Sequence, residues 1–379
     1  MRFAFLLLQY VVLAVTLVGV PLAACALWGD ADVLSGVTAF PPRTEDWIND
    51  AARCWPKVCP FNWVWFGAMA AVTLAWFAPF VRRGLCACAV PRTAPRARPP
   101  FPWWGWIGVT LLAGFWTLAW TWQWYLPFQP HTYAPLWLGA IITFNAVAKK
   151  RSGRCPLTDR PLMYLASFPV SSLFWWFFEY LNRYVWNWYY VATSTMSAAR
   201  YVVIASICFS TVLPGIWAMA EALGTFRFFD DRNYDGMARV NYRSPVSLTV
   251  LAVLSAVGLV GIAVRPQDVF GFLWISPLMM FVLVQAAFGS SCVLDGLREG
   301  RWGLVFRFSI AALCCGICWE MWNWHSYVKW IYNVPHVYGF KVFEMPLIGF
   351  AGYLPFGAEC AAVLHWMGAF GNDKSKGNT

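Results

Sequence analysis

The chain has 379 residues, of which 60% are hydrophobic and only 12% are charged, and its formal net charge is +10. Soluble chains carry about 25% charged residues, so this composition excludes an ordinary soluble domain and indicates an integral membrane protein. The 26 Trp residues fit that class, because Trp favours the membrane–water interface. The basic residues lie in short loops between apolar runs, so the positive charge does not indicate a nucleic-acid partner.

Apolar runs long enough, or nearly so, to cross a bilayer recur along the whole chain; a crossing needs about 20 residues. The sequence therefore predicts an all-α, polytopic transmembrane helix bundle of about 10 spans. The spans are expected at 3–27, 62–81, 101–122, 133–149, 161–182, 201–223, 246–264, 270–293, 303–324 and 344–368.

The segment 1–100 is expected to hold two N-terminal transmembrane helices, an external loop 28–61 and a basic cytoplasmic loop 82–100. The run Leu22-Ala23-Ala24-Cys25 resembles a bacterial lipoprotein signal, whose cleavage would lipidate Cys25 and leave nine spans. The alternative is an uncleaved first helix. Both alternatives place the following loop outside.

Two further expectations concern the loops. Cys54 and Cys59 share the external loop and are expected to form a disulfide in an oxidising compartment. Lys and Arg are concentrated in every second loop, so the positive-inside rule predicts that both termini are cytoplasmic. In a bacterium this is a multipass protein of the inner membrane. The loops concerned are 82–98, 149–160, 224–243, 295–301 and the tail 371–379.

One fragment of the sequence occurs twice. Phe178-Glu179-Tyr180-Leu181-Asn182 reappears as Trp319-Glu320-Met321-Trp322-Asn323, and each copy is followed by a Trp-x-Tyr and later by a Leu-Pro. The prolines, Pro214 and Pro355, lie 35 residues after their glutamates. The spacing predicts two parallel four-helix repeats, 101–223 and 244–370. Since each repeat crosses an even number of times, a pseudo-two-fold axis along the membrane normal is expected, as in parallel-repeat transporters.

The duplicated glutamates are the leading candidates for a site. Glu179/Asn182 and Glu320/Asn323 are spaced i, i+3, which places each pair on one helical face. Ionisable residues within a span are costly and usually face the protein interior. We expect Glu179 and Glu320 to approach each other as acid/base groups, with Asn182 and Asn323 orienting them. The alternative is a structural clamp, for which Arg183 offers Glu179 a partner at i+4.

Further residues are predicted to bind substrate. Trp188, Trp330, Tyr332 and His325 lie in aromatic outer loops that suit a flat or polyunsaturated lipid. Glu344 precedes Pro346 at the start of the last apolar run, where an acid and a proline are also ordinary helix-start signals. Glu359 lies deeper in the same run. No motif indicates a cofactor, and the histidine spacing does not predict a metal site.

The stretches 135–146, 172–190 and 319–332 resemble an uncharacterised family of bacterial multipass inner-membrane proteins, a resemblance that implies no activity. A weaker similarity is to integral-membrane carotenoid enzymes of the lycopene-cyclase type. Those enzymes also have duplicated helices, an acid before a W-x-Y/F and a proline near further carboxylates. The similarity implies that Glu320 is the acid, that Trp330 and Tyr332 form the W-x-Y, and that Glu344 and Pro346 are the further carboxylate and the proline. The P-x-E-E of the cyclases is absent, and Glu precedes Pro here.

Two classes of function follow. The first is an enzyme or binding protein for a lipid or isoprenoid, with an intramembrane pocket between the repeats that opens toward the outer leaflet. The second is a transporter or a non-catalytic structural subunit of a membrane complex. Membrane lipids and a lipid-like small molecule are the expected partners, nucleic acid is not, and both a homo-oligomer and a hetero-oligomer stay open.

Overall fold

A computed structural model of the chain describes residues 2–29, 31–38, 60–89, 99–121, 123, 126–193 and 196–370. The prediction of an all-α chain is confirmed in this part, where helices dominate and the strands are few and short. The expected disulfide between Cys54 and Cys59 and the tail 371–379 lie outside the described residues.

The helices follow the predicted apolar runs closely. Several begin with proline in the first turn, where its missing N–H removes no helical bond. The main helices are α1 (Arg2–Trp28), α2 (Ala31–Thr38), α3 (Trp63–Ala89), α4 (Trp103–Trp120), α5 (Tyr133–Ser152), α6 (Pro161–Val185), α7 (Ala198–Phe209), α8 (Val212–Gly224), α9 (Pro245–Val264), α10 (Ser276–Ala287), α11 (Gly303–Trp324) and α12 (Tyr353–Trp366).

Seven helical stretches of the described chain are long and apolar enough to cross a membrane, with α7 and α8 together counted as one. A pair bent by 51°, Pro266–Trp274 followed by α10, makes an eighth if it is one span. The predicted spans 101–122 and 133–149 are the helices α4 and α5, which are not in this group. The α4 helix is long enough at 18 residues, but five of them are Trp, which lower its mean hydropathy, and α5 carries Lys149, Lys150 and Arg151 in its last turn.

Three predicted spans are interrupted. The sixth is divided into α7 and α8 around Ser210-Thr211, and the eighth bends before α10. The tenth begins with the short strand Met345–Pro346 and a 3-10 helix, Leu347–Gly352, before α12. Breaks of this kind inside an apolar run release backbone groups that must be bonded elsewhere in the protein.

The centre of the bundle is formed by α8, which packs against α5, α6, α11 and α12. The α1 helix packs on α9 and α10, and α4 lies along α5. Close approach of α4 and α5 depends on Gly108 and Gly139, because a Cβ at either position would meet the backbone of the facing helix. Small residues at such crossings let helices pack tightly where lipid supplies no hydrophobic drive.

The sequence did not predict the two small sheets. The strand β1 (Trp188–Val191) follows α6 and pairs antiparallel with β2 (Lys329–Tyr332), which follows α11. A second pair joins β3 (Lys341–Val342) to β4 (Met345–Pro346). The first sheet therefore links the ends of the two helices that carry the duplicated glutamates.

Candidate functional site

Glu179 lies near the end of α6 and is largely buried, with 8% of its surface exposed. Its Oε1 accepts three hydrogen bonds: from Trp175 Nε1 at 3.1 Å, Trp188 Nε1 at 2.9 Å and the Tyr190 hydroxyl at 2.7 Å. One donor is on α6 itself and two are on β1. The carboxylate is therefore the acceptor around which three aromatic side chains converge.

Glu320 occupies the corresponding place near the end of α11 and is fully buried. Its Oε1 accepts from the Tyr332 hydroxyl at 2.6 Å, the Tyr353 hydroxyl at 3.0 Å and Trp330 Nε1 at 3.4 Å. Its Oε2 has no hydrogen-bond partner in the described part of the chain. A buried polar atom without a partner is uncommon and marks this oxygen as available to a ligand, water or proton.

The two asparagines bind the backbone of the strands. Asn182 Nδ2 donates to the Trp188 carbonyl at 2.6 Å, and its Oδ1 accepts from the Trp188 amide at 3.3 Å. Asn323 makes the same two bonds to Trp330, at 2.7 and 2.9 Å. The spacing predicted that each asparagine orients its glutamate. Instead, each fixes the start of a strand and so aims the tryptophan at the glutamate.

The register of β1 and β2 is symmetric about its middle pair. Tyr189 lies opposite Ile331, so Trp188 faces Tyr332 and Tyr190 faces Trp330. The Trp of each Trp-x-Tyr motif is thus paired with the Tyr of the other motif. The alternation of side chains along a strand places Trp and Tyr of one motif on the same face.

The tyrosines of the strands stay protonated at neutral pH. Burial raises the pKa of Tyr190 well above the ordinary value for a phenol, and the nearby carboxylate of Glu179 raises it further. Burial and the carboxylate of Glu320 do the same to the pKa of Tyr332. A phenolate is disfavoured in both places, because it would be poorly hydrated and would face a negative charge. Both hydroxyls therefore act as hydrogen-bond donors.

All six donors to the two carboxylates line one cavity. Its empty space, with the open mouth included, is about 1210 Å³. No Lys, Arg, Asp, Glu or His is among the described residues of its wall. The polar groups there are hydroxyls, indole N–H groups, the Cys208 thiol and one side-chain amide, that of Gln129. The two glutamates lie behind this wall and do not line the cavity themselves. Each accepts hydrogen bonds from side chains that do.

The two tryptophans of the strands are each held by a ring from the other half of the chain. Trp274, which precedes α10, stacks on Trp188 with ring centroids 5.6 Å apart. Tyr133, which opens α5, packs edge-on against Trp330 at 5.6 Å. Both holding residues also line the cavity. The cavity wall is thus assembled from both halves and does not belong to either alone.

The third donor differs between the two halves. On the first glutamate it is Trp175, from the same helix, whereas on the second it is Tyr353, from α12. If the duplication predicted from the sequence is extended at the same spacing of 141 residues, Trp175 corresponds to Gly316 and Val212 corresponds to Tyr353. A Cβ on Gly316 would clash with the ring of Tyr353, so the missing side chain on α11 makes room for the donor from α12.

Three predicted substrate-binding residues lie away from the cavity wall. Glu344 forms an ion pair with Lys329 at the start of β2. His325 is exposed after the end of α11, next to the rings of Trp120 and Trp324. Glu359 is fully buried and its Oε1 accepts from the backbone N–H of Leu278 at 2.9 Å. That bond satisfies an amide in the first turn of α10. The Oε2 of Glu359, like that of Glu320, has no hydrogen-bond partner in the described part of the chain, but Glu359 does not line the cavity.

The expected clamp between Glu179 and Arg183 takes a different form. The hydrogen bonds on Glu179 come from aromatic side chains, while Arg183 Nη1 donates to the Val37 carbonyl of α2 at 2.8 Å. Arg183 therefore ties α6 to α2. Among the described residues, no group of three His, Cys, Asp or Glu side chains is placed to hold a metal ion.

Several residues of the wall were not singled out from the sequence, among them Trp175, Tyr353, Tyr133, Trp274 and Tyr201. The duplication could have pointed to Tyr133 and Trp274, which occupy matching places before Pro135 and Pro277. Trp175 and Tyr353 have no such signal, because their counterparts, Gly316 and Val212, are different residue types.

The site thus belongs to an all-α chain with several helices that can span a membrane. No protein-family model, curated protein or solved structure matches the chain.

Proposed function

We propose that this chain is a bacterial inner-membrane protein, with both termini cytoplasmic, whose intramembrane cavity binds and modifies a lipid or isoprenoid. The cavity lies between two parallel four-helix repeats, 101–223 and 244–370. One observation carries the proposal: the donors to both duplicated carboxylates line a single cavity. A concave, largely apolar wall with a few convergent polar groups is the usual form of a small-molecule site.

The repeats are supported by exchanged contacts. Trp274 of the second repeat packs on Trp188 of the first, and Tyr133 of the first packs on Trp330 of the second. The register of β1 with β2 is exchanged in the same way. A two-fold axis generates contacts of this kind, in which residue i meets j and the copy of i meets the copy of j. The cavity would then lie close to that axis.

The chemistry of the wall favours an apolar ligand. Tryptophan and tyrosine rings offer flat faces to hydrocarbon, and their N–H and O–H groups are already directed at the glutamates. A charged head group at this depth would lack an opposite charge on the described wall, and burying an unpaired charge is costly. The positive-inside rule places the ends of α6 and α11 near the outer leaflet, so the ligand would come from there.

Glu320 is the carboxylate that suits acid–base chemistry. Its Oε1 is linked to the cavity through the hydroxyls of Tyr332 and Tyr353, and its Oε2 is without a described partner. A proton can pass between a bound ligand and Glu320 through either tyrosine. Glu179 has a structural role, because its Oε1 holds the side chains of Trp175, Trp188 and Tyr190 in place.

The test is the lipid composition of a strain that lacks the chain, complemented with variants. Wild type is expected to restore the lipid change, whereas Glu320→Gln should insert at normal levels and reduce the product by roughly 10²-fold or more, as expected for loss of an acid–base group. The matched control is Glu299→Gln, an exposed carboxylate paired with Arg301. Full rescue by Glu320→Gln would remove the acid–base role, and an unaltered lipid composition without the chain would reject the modifying activity.

A further inference from the structure

A second groove adjoins the cavity on one side of the bundle. It runs between α5 and α7, and its floor includes Phe168 of α6. Pro130, Ile204 and Cys208 belong to the walls of both the cavity and the groove. These three side chains are therefore the junction between the two spaces, and the groove extends the cavity sideways.

The outer end of the groove opens on an apolar surface. Leu138 of α5 and Ile207 of α7 flank it and are 42% and 53% exposed. Neighbouring residues on the outside of α7, such as Val203 at 57%, are also apolar. A helix face of this composition in a membrane-spanning segment faces lipid, so the groove opens toward the acyl chains.

The cavity wall holds two buried polar atoms that have no hydrogen-bond partner in the described part of the chain, Gln129 Oε1 and the Tyr201 hydroxyl, and the hydroxyl lies on α7, which also forms the groove. Tyr201 of α7 is 8% exposed and lines the cavity, with its ring against Tyr190 and Trp176. Its hydroxyl is buried and has no hydrogen-bond partner in the part of the chain that the structure describes. Leaving a buried hydroxyl unpaired is unfavourable, so a ligand oxygen that reaches it gains affinity.

We infer that the occupant is an uncharged single-chain lipid with one hydroxyl or carbonyl oxygen, which enters sideways from the bilayer between α5 and α7. Its oxygen binds the Tyr201 hydroxyl, and its hydrocarbon chain lies along the groove past Ile204. This inference rests on the proposed lipid site and specifies its ligand and its route. The described walls of the cavity and the groove carry no Lys or Arg for a phosphate or carboxylate head, and the basic side chain on them is His131 in the groove.

The experiment uses photoactivatable lipids and the full chain in phosphatidylcholine bilayers. One probe is a long-chain alcohol with a diazirine in the chain, and the other is the matching alkyl phosphate. After illumination, the labelled peptides are mapped by mass spectrometry. The alcohol is expected to label the groove segments of α5 and α7, and excess unlabelled alcohol should suppress that labelling. The alkyl phosphate should give no labelling there that competition suppresses.

Variants separate the route from the binding site. Ile204→Trp at the junction and Ile207→Trp at the mouth should each reduce alcohol labelling of the cavity peptides by at least tenfold. The matched control, Val203→Trp, adds the same ring on the lipid-facing side and should label as wild type does. Because Ile207 is half exposed, its replacement tests the route even if Ile204→Trp fails to fold.

Tyr201→Phe tests the proposed anchor. It should weaken competition by the alcohol about 3- to 10-fold, the range expected for one hydrogen bond, without lowering thermal stability in the absence of ligand. If Tyr201 were purely structural, Tyr201→Phe would lower thermal stability in the absence of ligand and leave competition by the alcohol unchanged.

Normal labelling in both Ile204→Trp and Ile207→Trp would overturn the lateral route. Equal competition by the alkyl phosphate would overturn the uncharged ligand. Neither result affects the lipid change in the complemented strain, so failure of this inference is distinguishable from failure of the proposed function.

Discussion

At the scale of single residues, Glu320 differs from an ordinary buried acid because three donors share one of its oxygens. Glu179 has the same number of donors on Oε1 but retains slight exposure. Both carboxylates hold the aromatic wall in place, and Glu320 is also the proposed proton site. Structural and chemical roles can therefore be separated by substitutions that keep or remove the acceptor.

Replacement of Glu320 should distinguish these roles by stability. Glu320→Ala leaves the donors of Trp330, Tyr332 and Tyr353 without an acceptor, at about 1–3 kcal/mol for each buried group that stays unpaired. Glu320→Gln keeps an oxygen there, so we expect its melting temperature in detergent to stay well above that of the alanine variant. Glu299→Ala is the surface control. Equal melting of the Ala and Gln variants would contradict the role of Glu320 as an acceptor.

Gly316 provides a second test at this scale. A methyl group there meets the ring of Tyr353, and such overpacking costs about 1–3 kcal/mol. Gly316→Ala should therefore lower thermal stability. The additional change Tyr353→Val, which places the residue type found at position 212, should make the alanine less harmful in a double-mutant cycle. The control is Gly114→Ala on α4, where an added Cβ meets nothing within 4 Å. Additive effects of the two changes would reject the steric coupling.

At the scale of elements, the helices were predictable and the site sheet was not. Long apolar runs bounded by Pro, Gly and basic residues give a strong helix signal, as for α6 and α11. The strands β1 and β2 have only four residues each, too few for a reliable alternation pattern. Their pairing also joins segments far apart in the sequence. Only the matching Trp-x-Tyr motifs hinted that the two belong together.

The strand register can be tested by cross-linking. Tyr189 and Ile331 face each other at the centre of the sheet, where opposite Cβ atoms lie about 4.5–5.5 Å apart. Cysteines at both positions should form a disulfide on mild oxidation, detected in the joined peptides by mass spectrometry. The control pair is Tyr189→Cys with Lys329→Cys, a diagonal pair about 7–8 Å apart. More cross-linking in the control pair than in the central pair would contradict the register.

The candidate site was predictable in part, because its motifs occur twice in the sequence. The duplication located Glu179, Glu320, Trp188, Trp330 and Tyr332 without any structure. The asparagines were found as well, but their contact with the strand backbone depends on a turn that spacing along one helix does not reveal. The third donors escaped notice because they come from different helices in the two halves, so comparison of the copies could not pair them.

At the scale of the whole molecule, exchanged contacts hold the two halves together around the cavity. α4 touches α11, and α9 touches α6, which are corresponding pairs in the proposed repeats. The helices α1 and α3 precede the two halves and contribute no residue to the described wall of the cavity. The proposed axis along the membrane normal requires that both halves enter the membrane from the same side.

Topology therefore tests the proposed parallel arrangement. Cysteines introduced as Ser152→Cys, at the end of α5, and Arg239→Cys, in the loop between the halves, should resist an impermeant maleimide in intact cells and react after permeabilisation. Tyr327→Cys, after α11, should react in intact cells and serves as the external control. Reaction of both loop cysteines from outside would reject the proposed orientation, and reaction of only one of them would reject the even number of crossings on which the parallel repeats depend.

The proposed function requires that the cavity lined by the donors to Glu179 and Glu320 holds a lipid. The most direct measurement is quantitative mass spectrometry of lipids that stay with the purified protein, compared with the lipids of the host membrane. The account predicts that one uncharged lipid is enriched in near-equimolar amount in wild type and lost in the double variant Trp188→Ala/Trp330→Ala, while Trp103→Ala, on the exposed face of α4, keeps it. Bound lipids that mirror the bulk membrane, equally in wild type and the double variant, would contradict it.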